Sequence, residues 1–231
     1  MENVPAFVSG VFMVATFVAV SIFLYAVRST GEGAWSRLLV FLLPFWIIFQ
    51  FIISSYGFYQ NTAALPPRMF VFGIGPALLL IILLFTFARD SFISRLSLPG
   101  LALVHIVRVP VELVLYWLAE AGTVPPVMTF HGTNLDIISG ITAPLAVAAA
   151  YFGEKRFRVA LIAWNMAAIG LLFNIVVTAI LCVPSPIQRL ALDQPNIAVL
   201  YFPYVWLPTV IVPIVFFSHL ASLFKLGRIR T

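Results

Sequence analysis

The sequence predicts an all-α integral membrane protein with seven transmembrane helices, its N-terminus outside and its C-terminus in the cytoplasm. Apolar runs of about 20 residues recur along the whole chain, and this is the helix length that crosses a bilayer. Only 9% of the residues are charged, against roughly a quarter in soluble domains. Basic residues also concentrate at alternate ends of the apolar runs, which is typical of oriented membrane helices.

The apolar segments follow one another without room for a soluble domain. Their connections are short and carry Gly, Pro and polar residues, which favour loops. We therefore expect a single seven-helix membrane domain over residues 1–231. The predicted spans are residues 7–28, 37–56, 69–88, 98–119, 136–153, 159–182 and 199–224.

The positions of Lys and Arg predict the orientation. Ten of the thirteen basic residues follow the first, third, fifth and seventh helices, and only Arg68 and Arg189 lie on the opposite side. Basic loops face the cytoplasm, so this distribution places the C-terminus inside. The first basic residue, Arg28, comes after the first apolar run, which favours a retained helix over a cleaved signal peptide. We expect a multi-pass protein of the inner or plasma membrane.

The remaining basic residue, Arg108, lies inside the fourth predicted helix. His105, Arg108, Glu112 and Tyr116 are spaced three and four residues apart, so they share one helix face. Arg108 and Glu112 are placed to form an ion pair one turn apart. An unpaired charge in mid-membrane costs at least about 2.5 to 3.5 kcal/mol, so this face is expected to point into the bundle.

Other polar residues fall at the same depth as this pair. Counting about 1.5 Å per residue from the cytoplasmic ends of helices two, four and six, Gln50, Arg108, Glu112 and Asn174 lie within about a turn of one another. We expect Gln50 and Asn174 to hydrogen-bond with the pair and to line a polar cavity near the midplane.

A second polar layer is expected nearer the cytoplasm. His105 on helix four, Asn165 on helix six and His219 on helix seven lie at similar depths by the same count. A buried histidine is more often a packing residue than a ligand, but these two histidines are candidates for carrying protons.

The longest outer loop, between helices four and five, contributes three further candidates. His131, Asn134 and Asp136 are expected at the outer lip of the cavity, although Asp136 is also suited to the first turn of helix five. Their spacing matches no established metal-ligand pattern, and we predict no metal site.

Several of the predicted helices contain proline. Each such residue removes a backbone hydrogen bond and tends to kink its helix. The prolines concerned are Pro44, Pro76, Pro110, Pro144, Pro208 and Pro213.

These features predict a transporter or permease for a small solute, with Arg108 and Glu112 at its centre, because intramembrane charges usually mark solute or ion pathways. Two alternatives remain open. One is a membrane-embedded enzyme in which Glu112 or Asp136 acts with a histidine as an acid–base pair. The other is a structural subunit whose buried charges only fix helix packing. The sequence specifies neither the solute nor a cofactor. Nucleic-acid binding is not expected, since membrane orientation accounts for the basic residues.

Overall fold

The fold was examined in a computed structural model, which describes residue 1, residues 3–152 and residues 155–228. Within these residues the chain forms helices and turns, without β-strands. The helices have the following bounds: α1 Ala6–Arg28, α2 Ala34–Ser55, α3 Phe70–Phe87, α4 Leu98–Glu120, α5 Asp136–Phe152, α6 Lys155–Cys182 and α7 Leu207–Arg228.

Six of these helices, all except α5, are long and apolar enough to cross a membrane. Large apolar side chains lie exposed on their outer surfaces, including Phe41, Phe45 and Val159, and such surfaces suit contact with lipid. The prediction of an all-helical, multi-pass membrane protein is therefore confirmed. The seventh span and the orientation of the termini stay predictions.

Helix α7 begins eight residues later than the sequence predicts. Residues 199–206 form a short 3-10 turn, Ala198–Leu200, followed by irregular turns. The cause is local, since Pro203 disfavours helical geometry in the residue before it, whereas Pro208 is suited to the first turn of a helix. The helix therefore starts only at Leu207.

Helix α5 is short because the loop before it descends into the bundle. The helix has 17 residues, or about 25 Å at 1.5 Å per residue, against a hydrocarbon core of about 30 Å. A side chain at Gly140 would come within 2.9 Å of the backbone nitrogen of Val109, so α5 and α4 touch at this glycine. Asp136, one turn before Gly140, is thereby placed beside the middle of α4 rather than at its outer end.

Helices α3 and α7 both begin with a turn of π-helix, Phe70–Ile74 and Leu207–Ile211 respectively. The two turns lie against each other. A side chain at Gly73 would come within 2.7 Å of Thr209 Cγ2, so glycine is required for this close approach.

Helix α2 supplies hydrogen-bond donors to the carbonyl groups that proline leaves free in these turns. Pro76 and Pro213 have no N–H, so the carbonyls of Phe72 and Thr209 lose their usual helical partners. Gln50 Nε2 donates to Phe72 O at 2.8 Å, and Trp46 Nε1 donates to Thr209 O at 2.9 Å. Two side chains one turn apart on α2 thus tie the outer parts of α3 and α7 together.

Tyr59, in the loop after α2, completes this contact. Its hydroxyl donates to Gln50 Oε1 at 2.6 Å. Burial raises the pKa of the Tyr59 phenol, which keeps the hydroxyl protonated as a donor. Gln50 is consequently a bridge between α2, α3 and the loop after α2.

The C-terminal end of α7 is held to the loop after α3. Lys225 donates to the carbonyl of Ser94, and Arg228 pairs with Asp90. The Arg228 guanidinium lowers the pKa of the exposed Asp90 carboxyl. These contacts fix the register of α7 against α3 at the end opposite to the π-turns.

We predict that Gln50→Leu destabilises the protein by about 1 to 2 kcal/mol, because the Phe72 carbonyl and the Tyr59 hydroxyl lose their partner. Thermal unfolding in detergent measures the effect. Gln60→Leu makes the same change at an exposed position and is expected to leave the melting temperature unchanged. Equal melting temperatures for the two variants would contradict the bridging role of Gln50.

We predict from the charge distribution that the loop after α2 faces the outside and the loop after α3 faces the cytoplasm. In a Cys182→Ala background, a membrane-impermeant maleimide should label Ala63→Cys in intact cells and label Ser91→Cys only after lysis. Both positions are exposed. The reverse pattern of labelling would overturn the predicted orientation.

Candidate functional site: a charged cluster at the inner end of an apolar cavity

A buried ion pair joins α4 to α5. Arg108 Nε lies 2.9 Å from Asp136 Oδ2, and both side chains are almost completely buried. The predicted pairing of Arg108 with Glu112 is wrong, since Arg108 turns to the neighbouring helix instead. The close contact at Gly140 explains this choice, because it brings the first turn of α5 against Arg108.

Glu112 is held by the descending loop. Asn134 Nδ2 donates to both Glu112 oxygens at 2.7 Å and also to the carbonyl of Met128 at 3.0 Å. Asn134 Oδ1 accepts from the backbone N–H of Asp136 at 3.0 Å. Asn134 therefore caps the start of α5 and binds Glu112 at the same time.

Two of the three residues predicted at the outer lip of the cavity, Asn134 and Asp136, therefore lie in the interior. Asn134 and Asp136 are 0% and 5% exposed, while His131 is exposed and packs beside Tyr116, with 5.3 Å between the ring centroids. The loop enters the bundle because its polar groups find partners there. Asn174 Nδ2 also donates to the carbonyl of Thr133 at 3.0 Å.

A chain of hydrogen bonds runs from Arg108 to α7 and α6. Arg108 Nη1 lies 3.3 Å from His219 Nε2, and His219 Nδ1 lies 2.8 Å from Asn165 Oδ1. Arginine can only donate, so Nε2 accepts and Nδ1 carries the proton that is donated to Asn165. His219 is therefore a neutral imidazole in this arrangement. Asn165 Nδ2 continues the chain to Leu161 O at 2.8 Å.

His105 stacks on His219, with 3.8 Å between the ring centroids. Trp164 packs on the edge of His105, at 5.3 Å between centroids. Among the described residues, neither ring nitrogen of His105 has a hydrogen-bond partner. The structure thus brings His105, Asn165 and His219 together, directly beside Arg108.

Gln50 and Asn174 do not lie with the charged cluster. Gln50 bridges α2 and α3, as described above, and Asn174 is exposed on α6. Depth counting places residues along the membrane normal but not around the bundle, so it could not distinguish these positions. Tyr116 likewise packs on Phe130 and His131, away from Arg108.

Beside the cluster lies a cavity of about 450 Å³. Its wall is formed by α3, α4, α6, α7 and the loops at their outer ends, and it is almost entirely apolar. Representative wall residues are Leu115, Leu172, Ile175, Ala179, Ile211 and Val215. The buried residues Arg108, Glu112 and Asp136 also line it, and so does Arg68 of the loop after α2, which donates to the carbonyl of Phe58 at 3.0 Å.

The cavity reaches the surface of the bundle between α3 and α6. Both helices pack on α7, and the cavity lies between them. Leu78 of α3 and Phe173 of α6 line the cavity and are still 40% and 54% exposed. The opening is therefore bordered by apolar side chains on the surface that suits lipid.

Polar atoms without partners also lie in the cavity wall. Asp136 Oδ1, both side-chain atoms of Asn196 and the hydroxyl of Ser185 are buried, and none has a hydrogen-bond partner within the part of the chain that the structure describes. Buried polar groups are nearly always satisfied, so these atoms are suited to a ligand or water. Sequence reasoning missed Asn196 and Ser185, because nothing distinguishes them from ordinary loop residues.

The cluster lacks the geometry of an acid–base pair. No hydrogen bond joins a histidine to a carboxylate in residues 3–152 and 157–228, since His219 contacts Arg108 and Asn165, and His105 contacts aromatic rings. What the arrangement offers is an apolar pocket of the size that suits small ligands, about 300 to 1,000 Å³, with charged groups in one place.

Comparison with protein-family models, with curated proteins and with solved structures gives no match for this chain. Its function is therefore inferred from the geometry of the site.

We predict that Arg108→Met lowers the free energy of unfolding by about 3 kcal/mol, because it leaves the Asp136 carboxyl buried without its partner. The double variant Arg108→Met/Asp136→Leu removes both charges and should recover at least half of the loss. Unfolding in mixed micelles measures both. Arg37→Met, at an exposed position, is the control. A double variant less stable than Arg108→Met would contradict the pairing.

Proposed function

We propose that the protein is a transporter for a small amphipathic solute, which binds in the cavity between α3, α4, α6 and α7. The observation that carries this proposal is the combination of a nearly apolar wall with one charged cluster, Arg108, Asp136 and Glu112. A purely polar solute would leave its own groups unsatisfied against such a wall. An amphipathic solute matches both parts.

The opening between α3 and α6 supports entry from the bilayer. Its border includes the exposed apolar side chains of Leu78 and Phe173, so an alkyl chain can pass from lipid into the cavity without crossing water. In the predicted orientation, the loops that line the cavity belong to the outer side. The solute would therefore enter from the outer leaflet.

The opposite side of the cluster is closed by packed aromatic rings. His105, His219 and Trp164 lie against one another beside Arg108, towards the cytoplasmic ends of α4 and α7. Release to that side requires these rings to separate. The π-turns and prolines of α3 and α7 are places where the helices can bend for such a change.

We predict that Ala179→Trp blocks solute binding, because an indole at this position fills the cavity wall. The probe is dodecanol carrying a photoreactive diazirine, added to the protein in nanodiscs of zwitterionic lipid. Labelled peptides are identified by mass spectrometry. In the unsubstituted protein, label is expected on α6 and α7 residues of the cavity, and Ala179→Trp should reduce it at least fivefold.

The matched control is Ala167→Trp, which places the same indole on an exposed face of the same helix. It should leave cavity labelling unchanged. Labelling confined to the outer, lipid-facing residues in all three proteins would contradict the proposal. The charged cluster would then be a device for helix packing, as a structural subunit requires.

A further inference from the structure

We infer, on the basis of the proposed transport function, that the solute carries a primary ammonium group, which binds between Glu112 and the free oxygen of Asp136. The remainder of the solute is an alkyl or aromatic body that lies against the apolar wall. Charge, hydrogen-bond capacity and the shape of the cavity each support this class of solute.

The charge of the cluster disfavours an anion. Arg108 and Asp136 cancel each other as a close ion pair. His219 is neutral, since its Nε2 accepts from Arg108 and its Nδ1 donates to Asn165. Glu112 adds a negative charge when ionised and none when protonated. The net charge of the cluster is therefore zero or minus one. A single positive charge on the solute balances the state in which Glu112 is ionised.

Two donor atoms of Arg108, Nη1 and Nη2, are hydrogen-bonded to protein groups, while Nε lies 2.9 Å from Asp136 Oδ2 without a hydrogen bond. Its guanidinium contacts Asp136, the His219 ring and the carbonyl of Ala168, the last two at 3.3 Å. An anionic solute would have to compete with these contacts.

The cluster does contain hydrogen-bond acceptors that lack a full set of donors. Asp136 is one of the residues that line the cavity, and its Oδ1 is buried without a hydrogen-bond partner among the described residues. Both oxygens of Glu112 share the amide nitrogen of Asn134, although a carboxylate offers about four lone pairs. An ammonium group has three donors and no acceptor, so it complements this set of oxygens.

Further acceptors lie along the cavity. The side chains of Asn196 and Ser185 line the wall and have no partner in the described part of the chain. They can bind a second polar group of the solute, such as a hydroxyl. Tyr59, Asn61, Thr62 and Arg68 of the loop after α2 also line the cavity, and the remaining wall is almost entirely apolar. The solute is therefore an amphiphilic amine.

The test measures competition with the photoreactive dodecanol in the same nanodiscs. The competitors share a twelve-carbon chain and differ in the head group: dodecylamine, dodecyltrimethylammonium, dodecanol and dodecyl sulfate. Their concentrations are expressed as mole fraction in the bilayer, which removes differences in partitioning. Dodecylamine is expected to displace the label at a mole fraction at least tenfold lower than dodecanol does.

The other competitors separate charge from hydrogen bonding. Dodecyltrimethylammonium carries the charge without N–H donors and should fall between the amine and the alcohol. Dodecyl sulfate should be no better than dodecanol. Benzylamine tests the source of the solute, since it carries the same head group but stays largely in water. Its failure supports uptake from the bilayer, and its success supports the ammonium site with uptake from water.

Glu112→Gln removes the carboxylate that is not paired with Arg108 and keeps an oxygen for Asn134. In this variant the advantage of dodecylamine over dodecanol should fall below threefold, while labelling by the probe itself persists. Glu120→Gln makes the same change at an exposed position of the same helix, outside the cavity wall, and should keep the tenfold advantage as the control.

The two proposals fail in different ways. Cavity labelling that dodecyl sulfate displaces as well as dodecylamine would overturn the ammonium site and leave the transport proposal standing. An unchanged amine advantage in Glu112→Gln would also overturn the assignment of that residue. Absence of cavity labelling in the unsubstituted protein would overturn both proposals together.

Discussion

The contact between Arg108 and Asp136 is the constraint on which the interior of this protein depends. It joins the middle of α4 to the first turn of α5, and a charge at this depth has to be paired. The pairing of Arg108 with Asp136 therefore sets the position at which α5 begins. The helix starts at Asp136 rather than at the outer surface, and the fifteen residues between α4 and α5 must fill the outer space as irregular chain.

Irregular backbone is tolerated inside a membrane protein only where its polar groups have partners or line a cavity. The descending loop meets both conditions. Asn134 donates to the Glu112 carboxyl and the Met128 carbonyl and accepts from the backbone N–H of Asp136. Asn174 donates to the carbonyl of Thr133. The loop and the first turn of α5 also border the cavity, since Met128 and Asp136 line its wall.

A second set of contacts supports the opposite wall of this cavity. Proline frees carbonyl groups at the outer ends of α3 and α7, and α2 supplies Gln50 and Trp46 to bind them. These hydrogen bonds stabilise α3 and α7, while the side chains that both helices direct into the cavity are apolar. At its C-terminal end, Lys225 and Arg228 hold α7 to the loop after α3. Helix α7 is thus fixed at both ends, with the bendable π-turn beside the cavity.

The sequence by itself determined the class of the protein, the number of apolar helices and most of their bounds, because these depend on hydropathy and local proline chemistry. It also identified Arg108 and Glu112 as residues that need partners. Only the tertiary structure decided which partners they have. Helical spacing favours Glu112 for Arg108, whereas the approach of α5 at Gly140 brings Asp136 closer. The rotation of each helix about its axis is set by packing, and for this reason Gln50 and Asn174 lie outside the cluster. Asn196 lies in the cavity wall because the loop before α7 packs on α6, where its backbone N–H donates to the carbonyl of Cys182.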